Sequence, residues 1–238
     1  MIKIPENIQK VLGDLYIKTS PVSIFIYGSR ARKDFIKSSD YEIGILYKPD
    51  KKISRSDLAK KHSIKDLRLY PFDYNEFIQN KLDTPFPKAV YMRGLIAKAK
   101  TLYGEKIVEN MALPHIYLID LLEEAVFQIS RAYTAMLSQR ENDNINARSG
   151  FIKSVLFGTR TLLILKKNTF PIEFDQIIKE SESLKLHADY NLLIKHALEV
   201  RNGKKLEPNM FYKNISFLNQ VVIKEIKDAL KFGDKMII

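Results

Sequence analysis

Cysteine and tryptophan are absent from the 238 residues, and histidine occurs only four times, at 62, 115, 187 and 196. Without cysteine there is no disulfide frame and no thiolate metal site, and four scattered imidazoles argue against a histidine-based one. No apolar run approaches the ~18 residues that cross a bilayer. The opening residues, MIKIPENIQKVLGDLY, lack the apolar core and small-residue cleavage site of a secretory leader. A cytoplasmic protein without a membrane partner is the expectation. Low-complexity segments and internal repeats are missing too, and 45% hydrophobic with 28% charged residues is an ordinary globular composition. What is in excess is positive charge: 39 Lys and Arg against 28 Asp and Glu, a formal net charge of +11. That balance suits a polyanionic partner such as a nucleotide, an RNA or an acidic protein surface, though lysine-rich surfaces also serve solubility.

Pattern divides the chain. Pro5 followed by Ile8, Val11, Leu12 and Leu15 predicts a first amphipathic helix. Strands are expected at 22–27, at about 40–47 and at 66–70, the last closed by Pro71, with a short helix over 29–35. Residues 54–62 read as helix or loop; 75–82 and 87–99 read as helices, and Leu102-Tyr103-Gly104 ends that region. From MALPHIY at 111–117 onward strand signals stop. Helical spacing then predicts helices near 115–139, 147–167, 172–182, 187–200 and 210–231. The expected fold is therefore an α+β domain, a small mixed sheet with helices, over 1–110, followed by an all-α helical bundle over 111–238.

The chemistry concentrates in IFIYGSRARKDFIKSSDYEIGIL, residues 24–46. Asp40 and Glu42 sit two apart in a strand-like run, so they share a face at a separation of about 6.6–7 Å along the backbone. Two carboxylates on an otherwise apolar strand carry a desolvation cost that a bound hard cation, Mg²⁺, would offset. Tyr41, Ile43 and Ile45 face the packing, and Gly44 leaves room beside the pair. Gly28-Ser29 ends the preceding strand and opens a turn whose N–H groups and hydroxyl suit a phosphate. Arg30, Arg32 and Lys33 add positive potential. A phosphate cradle and a metal site on adjacent strands make a nucleoside triphosphate site.

This stretch resembles the signature of the DNA polymerase β-like nucleotidyltransferase superfamily, in its minimal or aminoglycoside type. The resemblance rests on an apolar strand, Gly28-Ser29, the basic residues, then Ser38-Ser39-Asp40-Tyr41-Glu42-Ile43. Lys33 stands where that family usually has Gly, and Tyr41 where it usually has an aliphatic residue. The resemblance implies that Asp40 and Glu42 bind the triphosphate's Mg²⁺, with Gly28, Ser29, Arg32 and Ser39 on the nucleotide. It also implies a third carboxylate on a later strand, matched best by Asp66, which would share the metal role and take the acceptor's proton. Arg68 lies on the same strand face as Asp66 and is an alternative partner for it; Asp73 is a poorer third acid. The implied activity moves a nucleoside monophosphate from an NTP to a hydroxyl of a small molecule, a protein or an RNA. A degenerate, nucleotide-binding or antitoxin-like regulator is the alternative, and a homodimer is compatible with either.

The helical half is less informative. Residues 151–180 loosely resemble helices that accompany such domains. Phe151, Val155, Leu162, Leu163 and Leu165 read as core. Arg160, Lys166 and Lys167 read as a solvated face or as cations reaching a triphosphate. Tyr133, Phe157, Tyr190 and Tyr212 read as core or as base-stacking rings. The Arg–His pair of a helical ribonuclease is missing there; only Arg55 and His62 match its spacing, between two strands of the first half.

Overall fold

Five residues with no polar side chain but Ser23 and the Tyr27 hydroxyl form β1 (Ser23–Tyr27), buried throughout at the middle of the sheet. A computed structural model describes residues 2–37, 39–51, 53–81 and 86–238. The chain folds as two compact units, Met1–Pro114 and His115–Ile238.

In the first unit, α1 (Glu6–Thr19) precedes β1, and α2 (Gly28–Arg32) leads towards β2 (Tyr41–Tyr47). Next come α3 (Arg55–Lys61), β3 (Leu67–Asp73), α4 (Tyr74–Ile78), α5 (Lys88–Ile96), β4 (Lys100–Gly104) and α6 (Ile107–Asn110). The strand order is β3-β2-β1-β4, with β1 antiparallel to β2 and β4, and β2 parallel to β3. One face carries Ile24, Ile26, Ile43, Ile45, Leu67 and Leu69 against Ile8, Leu12 and Leu15 of α1 and Leu58 of α3. The other carries Phe25, Tyr27 and Leu46 against Phe77 of α4 and Met92, Leu95 and Ile96 of α5. This alternation is the period-2 pattern read from the sequence.

Two expectations are corrected by the structure. Pro71 does not close the third strand: β3 continues to Asp73, opposite Tyr47. β3 is an edge strand, where a missing N–H costs no ladder bond on the open side. The stretch ending at Gly104, read only as the close of a helical region, is a strand, β4. It occupies the other edge beside β1. Residues 54–62 resolve as a helix, opened by the Ser54 hydroxyl accepting from Asp57 N at 3.1 Å. The expected helix at 75–82 is shorter, Tyr74–Ile78; its last residue, Leu82, lies outside the described residues.

The second unit is helical: α7 (Leu118–Arg140), α8 (Asn144–Lys167), α9 (Phe174–Ser181), α10 (Ala188–Arg201), α11 (Asn209–Phe217) and α12 (Lys224–Leu230). A 3₁₀ turn, Glu182–Leu184, follows α9, and a π-helical stretch, Leu218–Ile223, joins α11 to α12. Phe151, Val155, Leu162 and Leu163 are buried, as their spacing implied. Arg160 is neither solvated nor presented to a ligand. It is buried, with Nη2 3.6 Å from Glu124 Oε1 and its guanidinium 4.4 Å and 4.8 Å from the Phe157 and Phe170 ring centres. Glu124 also accepts from Gln128 Nε2 at 2.8 Å, and Gln128 Oε1 accepts from Arg131 Nη1 at 2.8 Å. Burial lowers the Arg131 pKa from its ordinary value, against the pull of Glu124. Lys166 pairs with Glu225, whereas Tyr133 and Tyr212 are largely exposed rather than core.

Candidate nucleotide-binding site

The site grows from the β1–β2 pairing. That register sets Tyr27 opposite Glu42, so the acid lies beside the point where β1 ends. There the chain turns through Gly28, at φ +71°, into α2. A Cβ on Gly28 would stand 1.8 Å from Glu42 Oε2 and 2.8 Å from its Cδ. The carboxylate therefore rests directly on the glycine, and both the close approach and the left-handed backbone demand the missing side chain. The chain leaves α2 through Lys33 at φ 70°, ψ 15°. That left-handed conformation accounts for the glycine usual at this place in the nucleotidyltransferase pattern.

The basic residues have local tasks. The Arg30 guanidinium lies 4.3 Å from the centres of both the Phe35 and Tyr41 rings. It donates from Nε and Nη2 to the Ser39 carbonyl at 3.2 and 2.8 Å. Tyr41, the departure from an aliphatic residue, supplies one of those two rings. Arg32 Nε pairs with Asp34 Oδ2 at 3.2 Å, both side chains being largely covered. Ser39 Oγ accepts from Ile36 N at 2.9 Å. Of the residues expected on the nucleotide, Gly28 and Ser29 stand at the turn, while Arg32 and Ser39 brace the connection between α2 and β2. Ser38 of the motif lies outside the described residues.

Glu42 is on β2 and Asp40 immediately precedes that strand. The residue opposite Glu42 on parallel β3 is Arg68. Its Nε lies 3.5 Å from Asp40 Oδ2, with side-chain exposures of 49% and 38%. Arg68 thus pairs with Asp40, not with Asp66. Asp66 stands just before β3 with φ 65°, off the extended strand, and its carbonyl accepts from Tyr41 N at 2.6 Å. Gly44 leaves no open space: a Cβ there would meet Phe25 Cζ at 2.1 Å, because that ring fills the place beside the strand.

Sequence reasoning missed a cluster of tyrosines near Glu42: Tyr27, opposite it in the register, lies 5.9 Å ring to ring from Tyr70. Burial raises the Tyr27 hydroxyl well above its ordinary pKa, and Tyr91, Glu42 and Tyr70 push the same way. Tyr91, hydrogen bonded to Tyr27, is pushed up to about 12, chiefly by burial. Tyr70 is raised by burial and then by Glu42, while Arg55, 4.3 Å from its ring centre, opposes the shift. The signal was available in the alternation of β3, which places Arg68 and Tyr70 on the Glu42 face, but not in any motif.

Carboxylates are the hard oxygen donors that Mg²⁺ takes, so Asp40 and Glu42 are the residues that would hold such a cation. Among the described residues, however, no group of three or more His, Cys, Asp or Glu is arranged to hold a metal ion. The donor set suits one cation completed by substrate oxygens.

Compared with known proteins, the chain matches no family model and no curated protein. Among solved structures, it is similar to the spectinomycin adenyltransferase AAD(9) from Enterococcus faecialis, crystallised with ATP and spectinomycin. The TM-score is 0.59 at 15% identity, over 93% of this chain and 98% of that chain. The fold expected from the sequence is the fold observed: an α+β unit of nucleotidyltransferase type followed by a helical unit.

Proposed function

We propose that this chain is a Mg²⁺-dependent nucleotidyltransferase that moves a nucleoside monophosphate from an NTP to a hydroxyl group. The observation that carries the reading is the Glu42 carboxylate seated on the left-handed Gly28 turn, with Asp40 just ahead of the same strand. The turn's N–H groups and the Ser29 hydroxyl receive the triphosphate. Asp40 and Glu42 hold the cation, which when bound neutralises phosphate charge. The acceptor oxygen attacks the α-phosphorus in line, and the bond from that phosphorus to the leaving pyrophosphate oxygen breaks. The acceptor's proton passes to a carboxylate; Asp66 is the chain's candidate for that base. The adenyltransferase of similar fold, solved with ATP and spectinomycin, makes ATP the first donor and small hydroxyl compounds the first acceptors to test.

A second reading has one observation in its favour. Arg68, a cation, occupies the register position beside Glu42 on β3. A protein that binds nucleotide without turning it over could keep this arrangement. The experiment incubates the chain with α-labelled NTPs, Mg²⁺ and panels of small hydroxyl compounds, RNA and protein, measuring pyrophosphate and transferred label. Transfer that falls about a hundredfold or more in Asp40→Asn and Glu42→Gln, the effect of losing several kcal/mol, supports the enzyme. Saturable nucleotide binding without pyrophosphate release favours the second reading.

A further inference from the structure

We infer that Arg68 is a resident counter-cation that occupies the metal side of Asp40 until nucleotide arrives, so that metal and nucleotide bind as a coupled pair. The inference rests on the proposed reading of Asp40 and Glu42 as metal ligands. Arg68 Nε lies 3.5 Å from Asp40 Oδ2, and the guanidinium belongs to the residue registered against Glu42. One cation therefore already adjoins the pair on which a divalent ion would sit. With Arg68 in place, a lone metal ion meets both a competitor for Asp40 and a like charge. Both side chains are partly exposed, at 49% and 38%. The pair is thus weak enough to open and needs no repacking.

An incoming triphosphate changes that balance. Its negative oxygens offer the guanidinium a bidentate partner better than one long contact to Asp40. Arg68 would turn from carboxylate to phosphate, leaving Asp40 and Glu42 free to hold a divalent cation that would offset the triphosphate's charge. The positioning role is thus an exchange of partners, with no new bond to any reacting atom. Arg55, held over Tyr70 on the same side of β3, keeps the local potential positive through the exchange. A triphosphate site built this way stays free of metal between turnovers and takes it up with the substrate.

The test measures Mn²⁺ affinity of the full chain by electron paramagnetic resonance, with and without a non-hydrolysable ATP analogue. Wild type should bind Mn²⁺ weakly alone and at least tenfold more tightly with the analogue. Arg68→Ala should bind Mn²⁺ alone several-fold more tightly than wild type and lose most of the coupling. Arg68→Lys, which keeps the charge without the fork, should retain weak Mn²⁺ binding alone. Equal Mn²⁺ affinities of wild type and Arg68→Ala without nucleotide, both proteins still binding the metal–analogue complex, would overturn the exchange and leave the nucleotidyltransferase reading standing. Wild type that binds no metal–analogue complex would overturn both.

Discussion

At the scale of single residues, the Gly28–Glu42 contact governs the site. Gly28→Ala must displace a carboxylate and hold a side chain at φ +71°. Nucleotide affinity in a fluorescent-ATP titration should drop at least tenfold, and the melting temperature should fall. Lys33→Gly should do the reverse for stability. A lysine at φ 70° bears left-handed strain, and relief partly offset by a freer unfolded chain leaves a gain of up to about 1 kcal/mol in urea unfolding. The tyrosines around Glu42 predict a pH response. The folded Tyr91 pKa is raised, so the stability it contributes is whole below the unfolded value near 10 and is lost as pH rises towards about 12. Absorbance at 295 nm should show Tyr27, Tyr70 and Tyr91 ionising after the exposed tyrosines, and denaturant midpoints should fall over the same range. The placing of Glu42 on β2, with Asp40 just ahead of the strand, was legible from the apolar alternation of that run. The partner of Arg68 was not, since spacing within one strand cannot say which acid of a parallel neighbour it meets.

At the scale of elements, the strands with clear apolar alternation, β1 and β2, were readable from sequence. β4 was hidden because KTLYG is short and lies on an edge, with none of its residues fully buried. β3 was cut short in the reading by Pro71, a residue that an edge strand tolerates. Gly44 read as room beside the acid pair, yet the Phe25 ring fills that place. Gly44→Ala should cost about 1–3 kcal/mol in chemical unfolding, since a buried ring must move off β2. In the helical unit, long amphipathic stretches made the helices plain, but periodicity could not show that Arg160 points inward to Glu124. Glu124→Ala leaves that guanidinium buried without its carboxylate, and a loss of about 3–5 kcal/mol is expected in the unfolding of the chain.

At the scale of the whole molecule, each unit has its own buried core, and a net charge of +11 extends over the chain. Among the described residues no helix is long and apolar enough to cross a membrane. The excess charge should make nucleotide association faster and tighter at low salt. Raising the salt from about 50 to 300 mM should weaken ATP-analogue binding several-fold, chiefly through the on-rate in stopped flow. The connectivity of the sheet carries a kinetic consequence. β1 and β2 are separated only by residues 28–40, whereas β1 waits for β4 until residue 100. Short loops close sooner than long ones, so the β1–β2 pair should gain amide protection early in refolding and β4 late. The glycine turn and its acid would then meet while the sheet around them is still unfinished.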